Sequence, residues 1–256
     1  MASVNYSLTS CKIKVNKLLL TGLLILASLN AFSTCIAIYI AENGHIYVAA
    51  DSRRTFFFDD ANGQKFETVC KIHNVGSNYF AVSGIDDSGL VKAATKTLQH
   101  NTDIYIAVKS FGNTMVKRYK QLMDDAKLFY PNKFPKFLKD GLGSVSFFGY
   151  YCGLPNVYNI DFLCSLDKNG EVVIKYRINR VFVMNVIGIS KDIADAKPGD
   201  LPPVSVIDQN PELYVEALVK IEAKANPLAV SAPIDLLELK PDGANWIRKN
   251  ENAVSY

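Results

Sequence analysis

Only three histidines occur in these 256 residues. His45, His73 and His100 do not fall at metal-ligand spacings, so the sequence offers no zinc or iron centre. A phosphate loop and a dinucleotide fingerprint are both missing, which sets nucleotide-dependent chemistry aside. No metal and no cofactor is therefore expected. None of the five cysteines, Cys11, Cys35, Cys70, Cys152 and Cys164, is spaced as CxxC. Cys70, Cys152 and Cys164 read as buried or unpaired structural residues, although an exported chain would permit disulfides. Acids are absent from residues 1–33, which carry three lysines. Without that segment the formal charge falls from +3 to about zero, and Arg53-Arg54 is too short for a basic patch, so no nucleic-acid partner is expected.

What is present at the start is a leader. Lys12, Lys14 and Lys17 precede the apolar run LLLTGLLILASL at 18–29, and Ala31-Phe32-Ser33 follows it. A basic stretch, a short apolar stretch and small residues at the end make a signal peptide over 1–33, with a secreted or periplasmic product. About 222 residues then remain, enough for one domain over 34–256 with a substantial core. A rival reading takes Leu18 to Ala41 as an uncleaved anchor, since that stretch has no charge. Asn30, Ser33 and Thr34 interrupt it, and Ile36-Ala37-Ile38-Tyr39-Ile40 reads better as a strand. No membrane association is expected once the leader is removed.

Along the rest of the chain, Thr34–Ala41 and Ile46–Ala50 read as a hairpin around a two-residue Asn43-Gly44 turn. A second strand pair, Thr68–His73 and Tyr79–Ser83, flanks Gly76-Ser77-Asn78. A helix begins near Asp86-Asp87-Ser88, with Leu90, Val91, Ala94 and Leu98 on one face. A longer helix covers Ile104–Leu128, with Val108, Phe111, Met115, Tyr119 and Leu122 on one stripe and Pro131 and Pro135 ending it. Strands follow at Ser144–Tyr151, Val157–Ser165, Val172–Arg177 and Val181–Ile187. Pro211–Ala225 is an amphipathic helix carrying Leu213, Ala217, Leu218 and Ile221. Ile234–Leu239 and Trp246–Arg248 close the chain as strands around Pro241-Asp242-Gly243. Strands, two helices, strands, a helix and strands suggest sheets covered by helices in one α+β domain.

Cys35-Ile36-Ala37-Ile38, Asn43-Gly44 and Val48-Ala49-Ala50-Asp51-Ser52-Arg53-Arg54-Thr55 together resemble the opening of a proteasome β-type subunit. Thr68-Val69-Cys70-Lys71-Ile72 resembles that family's next strand, Ala81-Val82-Ser83-Gly84 its glycine turn, and Ser146-Phe147-Phe148-Gly149-Tyr150 a later core strand. Pro233-Ile234-Asp235-Leu236-Leu237-Glu238-Leu239, with Asp242-Gly243 and Trp246, is similar to the tail of secreted proteasome-like proteins. The resemblance implies an N-terminal nucleophile hydrolase with a four-layer αββα sandwich, two antiparallel sheets between helices. It also implies four roles. The first mature residue is the nucleophile and its own amine the base. Asp51 is the buried acid beside it, Lys71 lowers the pKa of the amine and nucleophile, and the Gly84 amide stabilises the oxyanion.

Two residues compete to be first. Cleavage after Ser33 has Ala31 and Ser33 at the positions that signal peptidase reads and exposes Thr34. Cleavage after Thr34 exposes Cys35. With a two-residue turn at Asn43-Gly44, Cys35 pairs with Ser52 and Ile36 with Asp51, and the Cys35-to-Asp51 spacing matches the family without a gap. Thr34 requires one inserted residue. Other N-terminal nucleophile hydrolases, the penicillin V acylase and bile-salt hydrolase group, use cysteine. The family's supporting Gly-Ser-Gly segment has its nearest match in Val186-Ile187-Gly188-Ile189-Ser190, with Asp192 and Asp195 following, which makes Ser190 a candidate. Extra residues between Asp51 and Lys71 lengthen that loop beside the substrate pocket.

The reading is an exported amidohydrolase or peptidase acting through an acyl-enzyme, with a peptide or small amide as substrate and a homo-oligomer allowed. The alternatives are an inactive exported protein that keeps the fold as a binding or assembly module, and a membrane-anchored protein with its leader intact.

Overall fold

The computed structural model describes residues 34–56, 65–85, 87–188, 191–196, 199–203, 207, 209–227 and 229–250. The leader and Ser190 lie outside them. Among the described residues no helix is long and apolar enough to cross a membrane.

The first sheet is built from β1 (Cys35–Ile40), β2 (Ile46–Asp51), β10 (Met184–Gly188), β11 (Ile234–Lys240) and β12 (Gly243–Arg248), in the order β10-β1-β2-β11-β12. The second is the meander β5 (Ile72–Val75), β6 (Asn78–Gly84), β7 (Gly143–Tyr151), β8 (Leu154–Leu166) and β9 (Val172–Val181). Every pairing in both is antiparallel. A separate two-stranded ribbon, β3 (Arg53–Phe56) with β4 (Lys65–Thr68), follows β2 in the chain, where the polar and aromatic composition of 53–66 carries no strand signal.

The strands alternate, and each face finds a different partner. Ile36, Ile38, Ile46 and Val48 point between the sheets, against Ala81, Phe148, Val157 and Val181. Cys35, Ala37, Tyr47 and Ala49 point the other way, onto Val215, Leu218 and Val219 of α5 (Pro211–Ala225). The outer face of the second sheet, through Phe147, Ile160 and Phe162, packs on α1 (Asp87–His100) and α2 (Ile104–Phe129). The result is helices, sheet, sheet, helices: the expected αββα arrangement.

Three local expectations are corrected. The β1–β2 connection has three residues, Glu42-Asn43-Gly44, closed by a hydrogen bond from Ala41 N to His45 O, with Gly44 at φ +79° in the left-handed position such a loop requires. Ile36 therefore stands opposite Ala50, not Asp51. Pro135 does not end a helix but sits in the first turn of α3 (Phe134–Asp140), where a missing N–H costs nothing. Helix α5 is rotated relative to its apolar pattern: Leu213 is exposed, while Glu222 is fully buried beside Val215, Leu218 and Val219. Two hydrogen bonds explain that burial, donated by the Ile193 backbone N and by Asn226 Nδ2 to the Glu222 carboxylate. Ile193 belongs to the single turn α4 (Lys191–Ala194), so Glu222 ties that turn to α5.

Cys35, Cys70, Cys152 and Cys164 are all free thiols. Cys35 and Cys164 are buried and Cys70 half-buried, but Cys152 is exposed in the two-residue turn between β7 and β8. Cys152 and Gly153 both have positive φ, the geometry of a hairpin turn whose twist matches its strands.

Candidate active site

Period-two alternation decides what the open end of the first sheet presents. Continuing the β1–β2 register puts Cys35 opposite Asp51 and Thr34 opposite Ser52. Cys35 lies on the face that packs against α5. Thr34, one residue earlier, turns its hydroxyl to the other side, where Lys71 Nζ donates to Thr34 Oγ1 at 2.7 Å. The same ammonium contacts Asp51 Oδ1 at 3.0 Å. Thr34 and Lys71 are each only 2% exposed and Asp51 is fully buried, so the ion pair is dry.

A dry ion pair is tolerable only when its remaining lone pairs and protons are satisfied. Asp51 accepts from Cys35 N at 2.8 Å on the oxygen facing Lys71 and from Arg53 N at 3.2 Å on the other. Burial pushes the Asp51 carboxyl above its ordinary value, while the Lys71 charge and these donors pull against it. Behind the pair, Ser52 Oγ donates to Asp235 Oδ2 at 3.0 Å, and Ser52 N and O bond Pro233 O and Val69 N. These bonds fix the end of β2 and the segment leading to Lys71. Asp235 is itself fully buried and accepts a bond from Asn250 N at 2.7 Å.

The Cys35 thiol is pushed well above its ordinary pKa by burial first and by the Asp51 and Glu222 carboxylates next, and the Lys71 charge only partly offsets them. A thiol held that way stays protonated, and the thiolate is the reactive form. The structure thus brings Thr34, Asp51 and Lys71 together by their side chains, while Cys35 joins them through its backbone N–H. Alternation along β1 itself decides which neighbour faces Lys71: Thr34 shares the side of Ile36 and Ile38, toward the second sheet, and Cys35 the side of Ala37, toward α5.

Gly84 ends β6 opposite Gly143, and a side chain at either would collide with the other's Cα at 2.7–2.8 Å. Its neighbour Ser83 was not expected at the site. Gly188 ends β10, in the segment nearest to the family's Gly-Ser-Gly. At φ +90°, a Cβ on Gly188 would sit 1.9 Å from the Thr34 carbonyl oxygen and 2.8 Å from Ser83 Oγ. Gly188 is therefore packed against the backbone of Thr34 and the side chain of Ser83. A glycine one residue past an apolar strand run was the available signal.

Ser83 and Gly188 also line a cavity of about 620 Å³ that opens between β10 and strands β7–β9. Its other walls include Ser144, Asn159, Asp161 and Arg177. Among the described residues no cluster of three or more histidine, cysteine or acidic side chains could hold a metal ion.

No protein-family model and no curated protein matches the chain. Solved structures do resemble it. A Gly-1 mutant of Anbu from Hyphomicrobium sp. strain MC1 is 15% identical, over 86% of this chain and 87% of that one, with a TM-score of 0.48. The Anbu complex of Pseudomonas aeruginosa, described as a helical assembly, is 14% identical over 86% and 88%, with a TM-score of 0.43. BPH of Thiobacillus denitrificans, in complex with epoxomicin, is 12% identical over 80% and 98%, with a TM-score of 0.40.

Proposed function

We propose that the chain is an exported N-terminal nucleophile amide hydrolase, and that Thr34 is its nucleophile. The observation that carries the reading is the 2.7 Å contact between Lys71 Nζ and Thr34 Oγ1 in a site where Asp51 neutralises the lysine. The position of Cys35 against α5, away from the Lys71 ammonium, favours the hydroxyl over the thiol.

In this reading, removal of residues 1–33 creates an α-amine on Thr34. That amine takes the proton from Oγ1 as the oxygen attacks the substrate carbonyl. The Lys71 charge keeps the amine in its neutral, basic form and stabilises negative charge building on Oγ1. Donors at the end of β6, the Gly84 amide among them, face the oxyanion. The tetrahedral adduct collapses, the ammonium returns its proton to the leaving amine, and an ester on Thr34 remains. Water, deprotonated by the same amine, attacks the ester, releases the acid and restores Thr34. Asp51 holds Lys71 charged and, through Cys35 N, fixes the backbone beside the nucleophile. The substrate is a peptide or small amide.

The test compares two forms of the chain, one starting at Thr34 and one retaining residues before it. The reading expects amide turnover and reaction with a hydroxyl-directed electrophile only in the first. Equal activity in both forms, or none in either, overturns it.

A further inference from the structure

The face of the second sheet that looks toward the first changes character along its strands. Register rows make this plain. Tyr79, Phe148, Val157 and Val181 form an apolar row across β6–β9, part of the core between the sheets. Four residues further toward the open end, the same face carries Ser83, Ser144, Asp161 and Arg177, again directly opposite one another on four strands. Between them lies a mixed row of Ala81, Ser146, Asn159 and Asn179. A face between two sheets is ordinarily apolar throughout. Here its outer half is polar, and that half forms the wall of the cavity beside Thr34.

The row is wired as one unit. Ser144 Oγ donates to Asp161 Oδ1 at 2.6 Å and Asn159 Nδ2 to the same oxygen at 2.8 Å. Arg177 and Asn179 donate to Asp161 Oδ2 at 3.3 and 3.4 Å. Both oxygens of Asp161, the one carboxylate among the described residues of the cavity lining, are thus already occupied by donors of the protein itself. Arg177 and Lys136 are among the residues that line the same cavity. The Arg177 side chain is 68% exposed, and its contact with Asp161 engages one of the five N–H donors of a guanidinium. The cavity therefore offers an incoming group the remaining guanidinium donors of Arg177, on a wall pre-set by hydrogen bonds.

We infer that this cavity is a specificity pocket for an acidic side chain or carboxylate of the substrate, with Arg177 as its specificity-determining residue. The inference rests on Thr34 being the reacting centre, because Ser83 and Gly188 are what join pocket and nucleophile. Strands about 4.8 Å apart put Arg177 three spacings, roughly 14 Å, from Ser83. That span suits an extended residue or two beyond the scissile bond. The guanidinium fork matches a carboxylate in two parallel bonds, and Asp161 with Asn179 keeps it aimed.

The experiment separates pocket from chemistry by measuring binding on a Thr34→Ala chain that starts at residue 34. Acetyl-dipeptide amides differing in one residue, Glu, Gln or Lys, are titrated calorimetrically. The Glu ligand is expected to bind at least tenfold tighter than the Lys ligand, and Arg177→Glu to invert that order; exposure of the side chain keeps the variant folded. Equal affinities across the three ligands, or an order unchanged in Arg177→Glu, overturn the pocket assignment. The active chain with the same ligands then reports on the hydrolase reading alone: tight binding of the Glu ligand without cleavage would retain the pocket and remove the reaction.

Discussion

At the residue scale the site is a contest between adjacent side chains, and geometry favours the hydroxyl. Thr34 has Lys71 at 2.7 Å; Cys35 has α5. Cys35→Ala should leave electrophile labelling within a few-fold of the parent. Thr34→Ala and Lys71→Ala should each reduce it at least about 100-fold, the scale of losing a positioned proton acceptor or charge. Intact-mass analysis of the labelled variants checks this. Asp51 adds a pH signature. Its carboxyl sits above the ordinary value, and the Lys71 pair needs it ionised. The acid limb of activity should therefore fall at higher pH than for an unshifted carboxylate, and rate measurements between pH 3 and 8 would show it. Asp51 and Lys71 were legible from their sequence context, a lysine between Val69 and Ile72 being unusual in a strand. Which of Thr34 and Cys35 faces Lys71 was not, because it needs the position of Lys71 against the side of β1 that carries Ile36 and Ile38.

At the scale of elements, the ends of β6 and β10 make the site by close backbone approach. Gly188→Ala places a methyl 1.9 Å from Thr34 O in a backbone conformation that costs about 1–3 kcal/mol on its own. That variant should unfold at lower denaturant than the parent, and its folded fraction should label poorly. Gly76→Ala offers a control: it has positive φ too, but its added Cβ meets nothing within 4 Å. Chemical denaturation with electrophile labelling of both variants distinguishes site packing from turn strain. Elements of strong period were legible: α1, α2 and most strands lie within a few residues of where their apolar spacing put them. The failures share a cause. Helix α5 buries Glu222 because hydrogen bonds from Ile193 and Asn226 outweigh its charge, and no hydrophobic count sees that. The polar rows at 144/146, 159/161 and 177/179 were visible as alternation, but their meaning required the register that sets them side by side.

At the scale of the whole molecule, stability has a pH dependence separate from the site. His73 stacks on Phe80 at 5.1 Å, and burial lowers its pKa from the ordinary 6.5 to about 4. A histidine held neutral in the fold favours the unfolded chain once protons are available. Its contribution is intact above pH 6.5 and is lost as pH falls toward 4, by about 3 kcal/mol in all. Denaturant titrations at pH 7 and pH 4 should show this loss, and His73→Phe should flatten it. The same molecule-wide view carries the export proposal: a leader that must leave before an amine exists would keep the hydrolase silent until it has crossed the membrane.

The measurement that bears most directly on the central claim is tandem mass spectrometry of the protein recovered from producing cells and their medium after treatment with a peptidic electrophile. The account predicts a chain beginning at Thr34 with the adduct on that residue, and no adduct in Lys71→Ala. A chain beginning elsewhere, or an adduct on Cys35, would contradict it.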